Sequence, residues 1–98
     1  MSQPLRMMMV IVDSSAREQL EVLLRKAGAP GFTEMSPAAG WGETGPHLGS
    51  RAFPKTSTVL LSVLEPEAEE RVRVALAGFE EGETRRVRAY AWSVEEVA

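Results

Sequence analysis

The chain has no cysteine, one histidine, and two lysines against nine arginines. The first absence excludes disulfides, zinc–thiolate sites and thiol catalysis. The second leaves a single imidazole, His47, which cannot build a tight transition-metal site alone. Long apolar runs are missing too: the stretch MSQPLRMMMVIVD holds only the short run MMMVIV before an aspartate. That run fits neither a secretory leader nor the roughly 20 apolar residues of a membrane helix. A cytoplasmic protein with no membrane insertion is the expectation. A net charge of −3 and a pI near 5.2 weigh against a general binder of nucleic acid or anionic membranes. There is no phosphate loop of the GxxxxGK[ST] type and no nucleophile–base pair at workable spacing, so catalysis is not expected and no catalytic residue is assigned.

What is present reads as one soluble domain over residues 1–98, 44% hydrophobic and 26% charged. Met7 to Val12 is a continuous apolar run of strand length. Ser15 with Glu18 three positions on suggests a capping box, and Ala16, Leu20, Leu23, Leu24 and Ala27 form a helical stripe. Gly28 is placed to end that helix. Gly31 to Pro37 reads as a short strand and Thr56 to Leu64 as a second apolar one. Pro66 and the glutamates around it open a helix whose buried stripe is Ala68, Val72, Ala75, Leu76 and Phe79, with Glu67–Arg71 and Glu69–Arg73 as outward pairs. Gly82 closes it. Arg85 to Trp92 alternates as a strand with one core face.

The order βαββαβ predicts an α+β, ferredoxin-like domain: a four-stranded antiparallel sheet, first and third strands central, both helices on one face. In that plan the second sheet face meets water and should be polar, yet Met7–Val12 and Val59–Leu64 are apolar on both faces. A soluble monomer rarely tolerates such a patch, which points to oligomerisation through the sheet. The central strands carry none of the aromatics on which the RNA-binding version of this topology stacks bases.

Residues 38–55 join the two halves and exceed the ~12–15 residues beyond which a structureless connection is uncommon and usually functional. This loop holds Gly40-Trp41-Gly42, Glu43, His47, Arg51 and Phe53. The glycines flanking Trp41 allow positive φ or close approach to a ligand. Arg51 and Phe53, with Glu43 and His47, are candidates for contacting a protein partner. His47 with Glu43 is also a candidate divalent-metal pair; the plainer expectation is a solvent-exposed loop histidine. Arg85, Arg86 and Arg88 form the one basic cluster. They suit a small anionic ligand, or equally a charge-protected edge strand paired with Glu80, Glu81 and Glu83.

With these pieces in place, the chain resembles the PII signal-transduction family and its PII-like relatives. The resemblance rests on MMVIV as first strand, AGAPGFTEMSPAAGWG leading into the loop, and STVLLSVLEPEAEERVRVAL after it. Gly40-Trp41-Gly42 is similar to the Gly-Phe-Gly that opens the family's T-loop. It implies a non-enzymatic homotrimer, an adenine nucleotide or other effector in the clefts between subunits near Gly40, Trp41, Gly42, Arg85, Arg86 and Arg88, and a T-loop that docks on a transporter or enzyme. Glu43-Thr44 stands where the family has a polar Arg-Gln pair, and Gly82-Glu83-Thr84-Arg85-Arg86 runs into the last strand with no glycine-rich B-loop. Both departures imply a signal other than 2-oxoglutarate. The related CutA-type trimers imply the alternative of divalent-metal binding through His47 and Glu43.

Overall fold

Leu5–Asp13 forms β1, whose side chains alternate between a buried set (Met8, Val10, Val12) and a half-buried set on the opposite face. The computed structural model describes residues 4–42, 45–82 and 87–98. Further elements are α1 (Arg17–Lys26), β2 (Thr33–Ala38), β3 (Gly40–Gly42), β4 (Gly45–His47), β5 (Ser57–Leu64), α2 (Pro66–Gly82) and β6 (Val87–Val94). The main sheet runs β2-β5-β1-β6 with every neighbouring pair antiparallel. The expected ferredoxin-like plan is therefore the observed one, with β1 and β5 central.

Both helices cover one face. Leu20 and Leu24 of α1 and Ala68, Val72 and Leu76 of α2 pack on Val10, Val12, Leu60 and Leu64 to make the core. Thr58 and Ser62 also point inward from β5, and each is satisfied: Ser62 donates to the Gly31 carbonyl, and Thr58 bonds the hydroxyls of Ser14 and Ser36. This is why a strand with two hydroxyls can lie under the helices without leaving a buried polar group unpaired.

Local chemistry sets the ends of α1. A 3-10 turn, Ser14–Ala16, precedes it, and the side-chain cap is Asp13, whose Oδ1 accepts from Ser15 N at 2.9 Å and Ser15 Oγ at 2.7 Å. The side-chain cap is thus Asp13, two residues before the Ser15 of the expected capping box, and α1 itself starts at Arg17 with no side-chain bond at its N-cap, Ala16. At the other end Gly28 adopts φ +92°, Gly28 N bonds Arg25 O and Ala29 N bonds Leu24 O, the two bonds of a Schellman stop.

Of the two expected helix-surface pairs, Glu69–Arg73 forms and Glu67–Arg71 does not. Arg71 does not pair outward with Glu67; its Nε donates to Ala27 O at 2.8 Å and so ties α2 to the end of α1. Glu69 is buried rather than outward. It accepts from Arg6 Nε at 3.0 and 3.2 Å and from Arg73 Nη2 at 3.2 Å, bridging β1 and α2.

The face away from the helices is apolar. Register places Met7, Met9 and Ile11 of β1 beside Val63, Leu61 and Val59 of β5, with Trp92 and Tyr90 of β6 opposite Met7 and Met9. Val63 is 41% exposed, Trp92 43%, Met35 48% and Tyr90 53%. Opposed residues of an antiparallel pair share a face, so these form one continuous patch.

Candidate functional site

The segment from 38 to 55 leaves and re-enters the sheet at one end, where Ala38, Ser57 and Asp13 meet across β2, β5 and β1. It is not a structureless connection. β3 and β4 make a hairpin with Gly40 opposite His47, Trp41 opposite Pro46 and Gly42 opposite Gly45. Gly45 takes φ +94°, which a side chain would oppose. Trp41 stands 78% exposed on this hairpin. A second compact turn follows: Gly49 N bonds Lys55 O, Ser50 N bonds Phe53 O, and Phe53 N bonds Ser50 Oγ. It presents Arg51 and Phe53 to solvent.

The root of the loop is polar and covered. His47 is 7% exposed, not the solvent-exposed histidine expected. Its Nδ1 lies 3.3 Å from Ser57 Oγ and 4.0 Å from Asp13 Oδ2. Burial alone would push the Asp13 carboxyl up; the hydrogen bonds from Ser15 Oγ and N, helped by nearby His47 and Lys55, hold it below the ordinary carboxylate value. Alongside runs a chain of hydroxyls, Thr56 to Ser14 at 2.8 Å, Ser14 to Thr58 at 3.0 Å and Thr58 to Ser36 at 2.8 Å. Asp13 was legible in sequence only as a cap. The compositional signal was that it is the chain's sole aspartate, set at the end of a strand.

The effector candidates divide between two places. Gly40, Trp41 and Gly42 lie on the hairpin that follows β2 and meets the ends of β5 and β1 through His47, whereas Arg88 lies on the edge strand β6, opposite Ile11. Both sit toward the same end, because Val12 pairs with Val87 and Asp13 with Ser57. A groove of about 330 Å³ lies at the β6 edge, walled by Met8, Leu76, Val87 and Tyr90, with Arg73 on its wall. Glu43, Arg85 and Arg86 fall outside the described residues.

The metal pair of His47 and Glu43 includes a residue outside the described ones, and the hairpin register sets Gly40 against His47. The acid beside His47 is Asp13. Among the described residues no group of three or more His, Asp or Glu side chains is placed to hold a metal ion, and no helix is long and apolar enough to cross a membrane.

No protein-family model matches this sequence, and no curated protein does. Solved structures do match in fold. CPII, a nitrogen regulatory PII-like protein from Thiomonas intermedia K12 bound to ADP, AMP and bicarbonate, superposes with a TM-score of 0.72 at 20% identity, over 93% of this chain and 88% of CPII. A PII-like signalling protein from Thermus thermophilus gives 0.74 at 21% identity, over 94% and 88%. GlnK of B. subtilis, in complex with ATP, gives 0.62 at 11% identity, over 96% and 86%. Over nearly its whole length, this chain has the PII-like fold.

Proposed function

We propose that this protein is a non-enzymatic PII-like regulator that binds a small anionic effector in clefts between subunits and contacts a protein partner through residues 38–55. The observation that carries the reading is the fold shared with CPII, which was solved bound to ADP, AMP and bicarbonate. Two features of this chain support it. The apolar sheet face needs a cover, and copies of the same chain in a homotrimer supply one of matching chemistry. β2 and β6 are the two edges of the sheet, so a cleft between subunits can bring the hairpin that follows β2 in one chain toward Arg88 on β6 of the next.

In that cleft the backbone of Gly40–Gly42 and Trp41 form one wall. Arg88, with Arg85 and Arg86, supplies the cations that fork onto phosphate or carboxylate oxygens. Arg51 and Phe53, held outward by the turn at 49–55, meet the partner, a transporter or an enzyme. Calorimetry with ATP, ADP, AMP, cyclic AMP and bicarbonate tests the effector. At least one binds in the micromolar range, and Arg88→Ala weakens it by roughly tenfold or more, the scale of a charge-assisted contact. No heat from any of them at millimolar concentration overturns the effector reading.

A further inference from the structure

His47 closes β4, and its ring reaches two other strands at once: Ser57 of β5 at 3.3 Å and Asp13 of β1 at 4.0 Å, both from Nδ1. Asp13 and Ser57 are themselves register partners, so the imidazole sits on the last rung of the central strand pair. The Asp13 side chain is not free to swing. Its Oδ1 is held by two bonds from Ser15, which leaves Oδ2 as the oxygen facing the ring. A carboxylate beside Nδ1 favours the tautomer that carries its proton there, and so orients the ring.

The hairpin is small and mostly exposed. Each of its strands is three residues long, Gly40, Trp41 and Gly42 are all exposed, and a two-stranded hairpin is marginal in water by itself. The hydroxyl chain through Thr56, Ser14, Thr58 and Ser36 secures the sheet end to which the loop returns, but it does not touch β3 or β4.

We propose that Asp13 is a positioning residue for the loop: through His47 it anchors the β3–β4 hairpin to the end of β1, and so sets where Trp41 and the Gly40–Gly42 backbone stand. The anchor is a property of the chain itself. Only its consequence for effector and partner binding rests on the reading proposed above. Parting His47 from Asp13 leaves the Ser57 contact in place but loosens the hairpin against the end of β1 while β1 and β5 stay paired.

Amide hydrogen exchange on the full chain, without nucleotide or partner, tests this in Asp13→Asn, His47→Gln and the double variant. Asparagine keeps the Oδ1 acceptor for Ser15, removes the charge and puts an amide donor where Oδ2 faces the ring. Exchange in the 40–47 segment speeds up roughly three- to tenfold in each single variant, the scale of one partly buried polar contact. It goes no faster in the double variant than in His47→Gln, because the link that Asp13→Asn breaks is already gone there. Amides of Val10 and Leu60 stay as protected as before. Unchanged hairpin exchange in Asp13→Asn, effects that multiply in the double variant, or equal acceleration at Val10 and Leu60 each overturn the assignment. The measurement involves no ligand, so its failure and a failure to bind nucleotide are separate results.

Discussion

His47 Nδ1 lies 4.0 Å from Asp13 Oδ2, so the chain's only histidine meets its only aspartate at the root of the loop. This divides the loop into a covered base and exposed tips at Trp41 and Phe53. The roles expected of its residues separate accordingly. His47 faces inward and belongs to the base, whereas Arg51 and Phe53 are open to a partner.

Stability measurements should show that division. His47→Ala removes a buried ring together with its bond to Ser57 and should cost about 1–2 kcal/mol in a urea titration. Arg51 makes no hydrogen bond or ion pair among the described residues, and Arg51→Ala should stay within about 0.5 kcal/mol of the parent. Equal losses in the two variants would mean that the base and the tip are not distinct.

Gly28 gives a second prediction. It adopts φ +92°, and a Cβ there would lie 2.9 Å from Arg71 Nη2. Gly28→Ala therefore pays twice, in backbone strain and in displacing the guanidinium that caps Ala27 O. A loss of about 1–2 kcal/mol is expected, with Arg71→Ala costing less because it removes the cap alone. The midpoints of thermal unfolding order the two variants.

The carboxylates at 69 and 34 should respond to pH in opposite senses. Burial would raise the pKa of Glu69, but hydrogen bonds from Arg6 and Arg73 outweigh it and hold the group below its ordinary value of 4.5. The folded state thus binds the proton less readily than the unfolded chain. Its contribution is fully present above pH 4.5 and is lost as pH falls through the lower folded value. Glu69→Gln should flatten the acid limb of the stability profile. Glu34 is raised, first by its hydrogen bond with Glu21, then by burial and the Glu21 charge. Its sign is reversed: stability is greatest below the ordinary value and declines as pH rises through the folded one. Glu34→Gln should therefore stabilise the protein at pH 7 and have little effect below pH 4.

The fold was legible because β1, α1, β5 and α2 each announce themselves locally, by an apolar run or a stripe bounded by Asp13, Gly28, Pro66 or Gly82. Their order then fixes the sheet. The hairpin was not legible. Gly-Trp-Gly and Gly-Pro-His contain no β-branched residue, and what holds them is register together with contacts from β1 and β5. His47 was hidden for the same reason, since its burial depends on Asp13 and Ser57, partners far away in sequence. Glu69 reads locally as one more surface glutamate with an i+4 arginine; only the fold brings Arg6 beneath it. Local signals located the elements, and the misreadings fell where a side chain's partner lies on another strand or helix.

The apolar sheet face carries the last prediction. Met9 and Leu61 face each other at the middle of the two central strands, flanked by Tyr90 on β6 and Thr33 on β2. At roughly 25 cal/mol per Å² of apolar area, covering even a few hundred Å² of this patch contributes several kcal/mol toward association. Leu61→Arg sets a charge at its centre. The guanidinium can reach water from an uncovered sheet, so the subunit itself should fold, but no partner can close over it without burying an unpaired charge. Sedimentation should therefore find the parent protein at a multiple of 10.7 kDa and Leu61→Arg at that single mass, with helical circular dichroism retained. Thr33→Arg, at the β2 edge of the same face, provides the graded control: a charge near the rim can snorkel to solvent and should weaken assembly less. A parent protein that sediments as one chain at all concentrations would show that nothing covers this face, and the intersubunit cleft would fall with it.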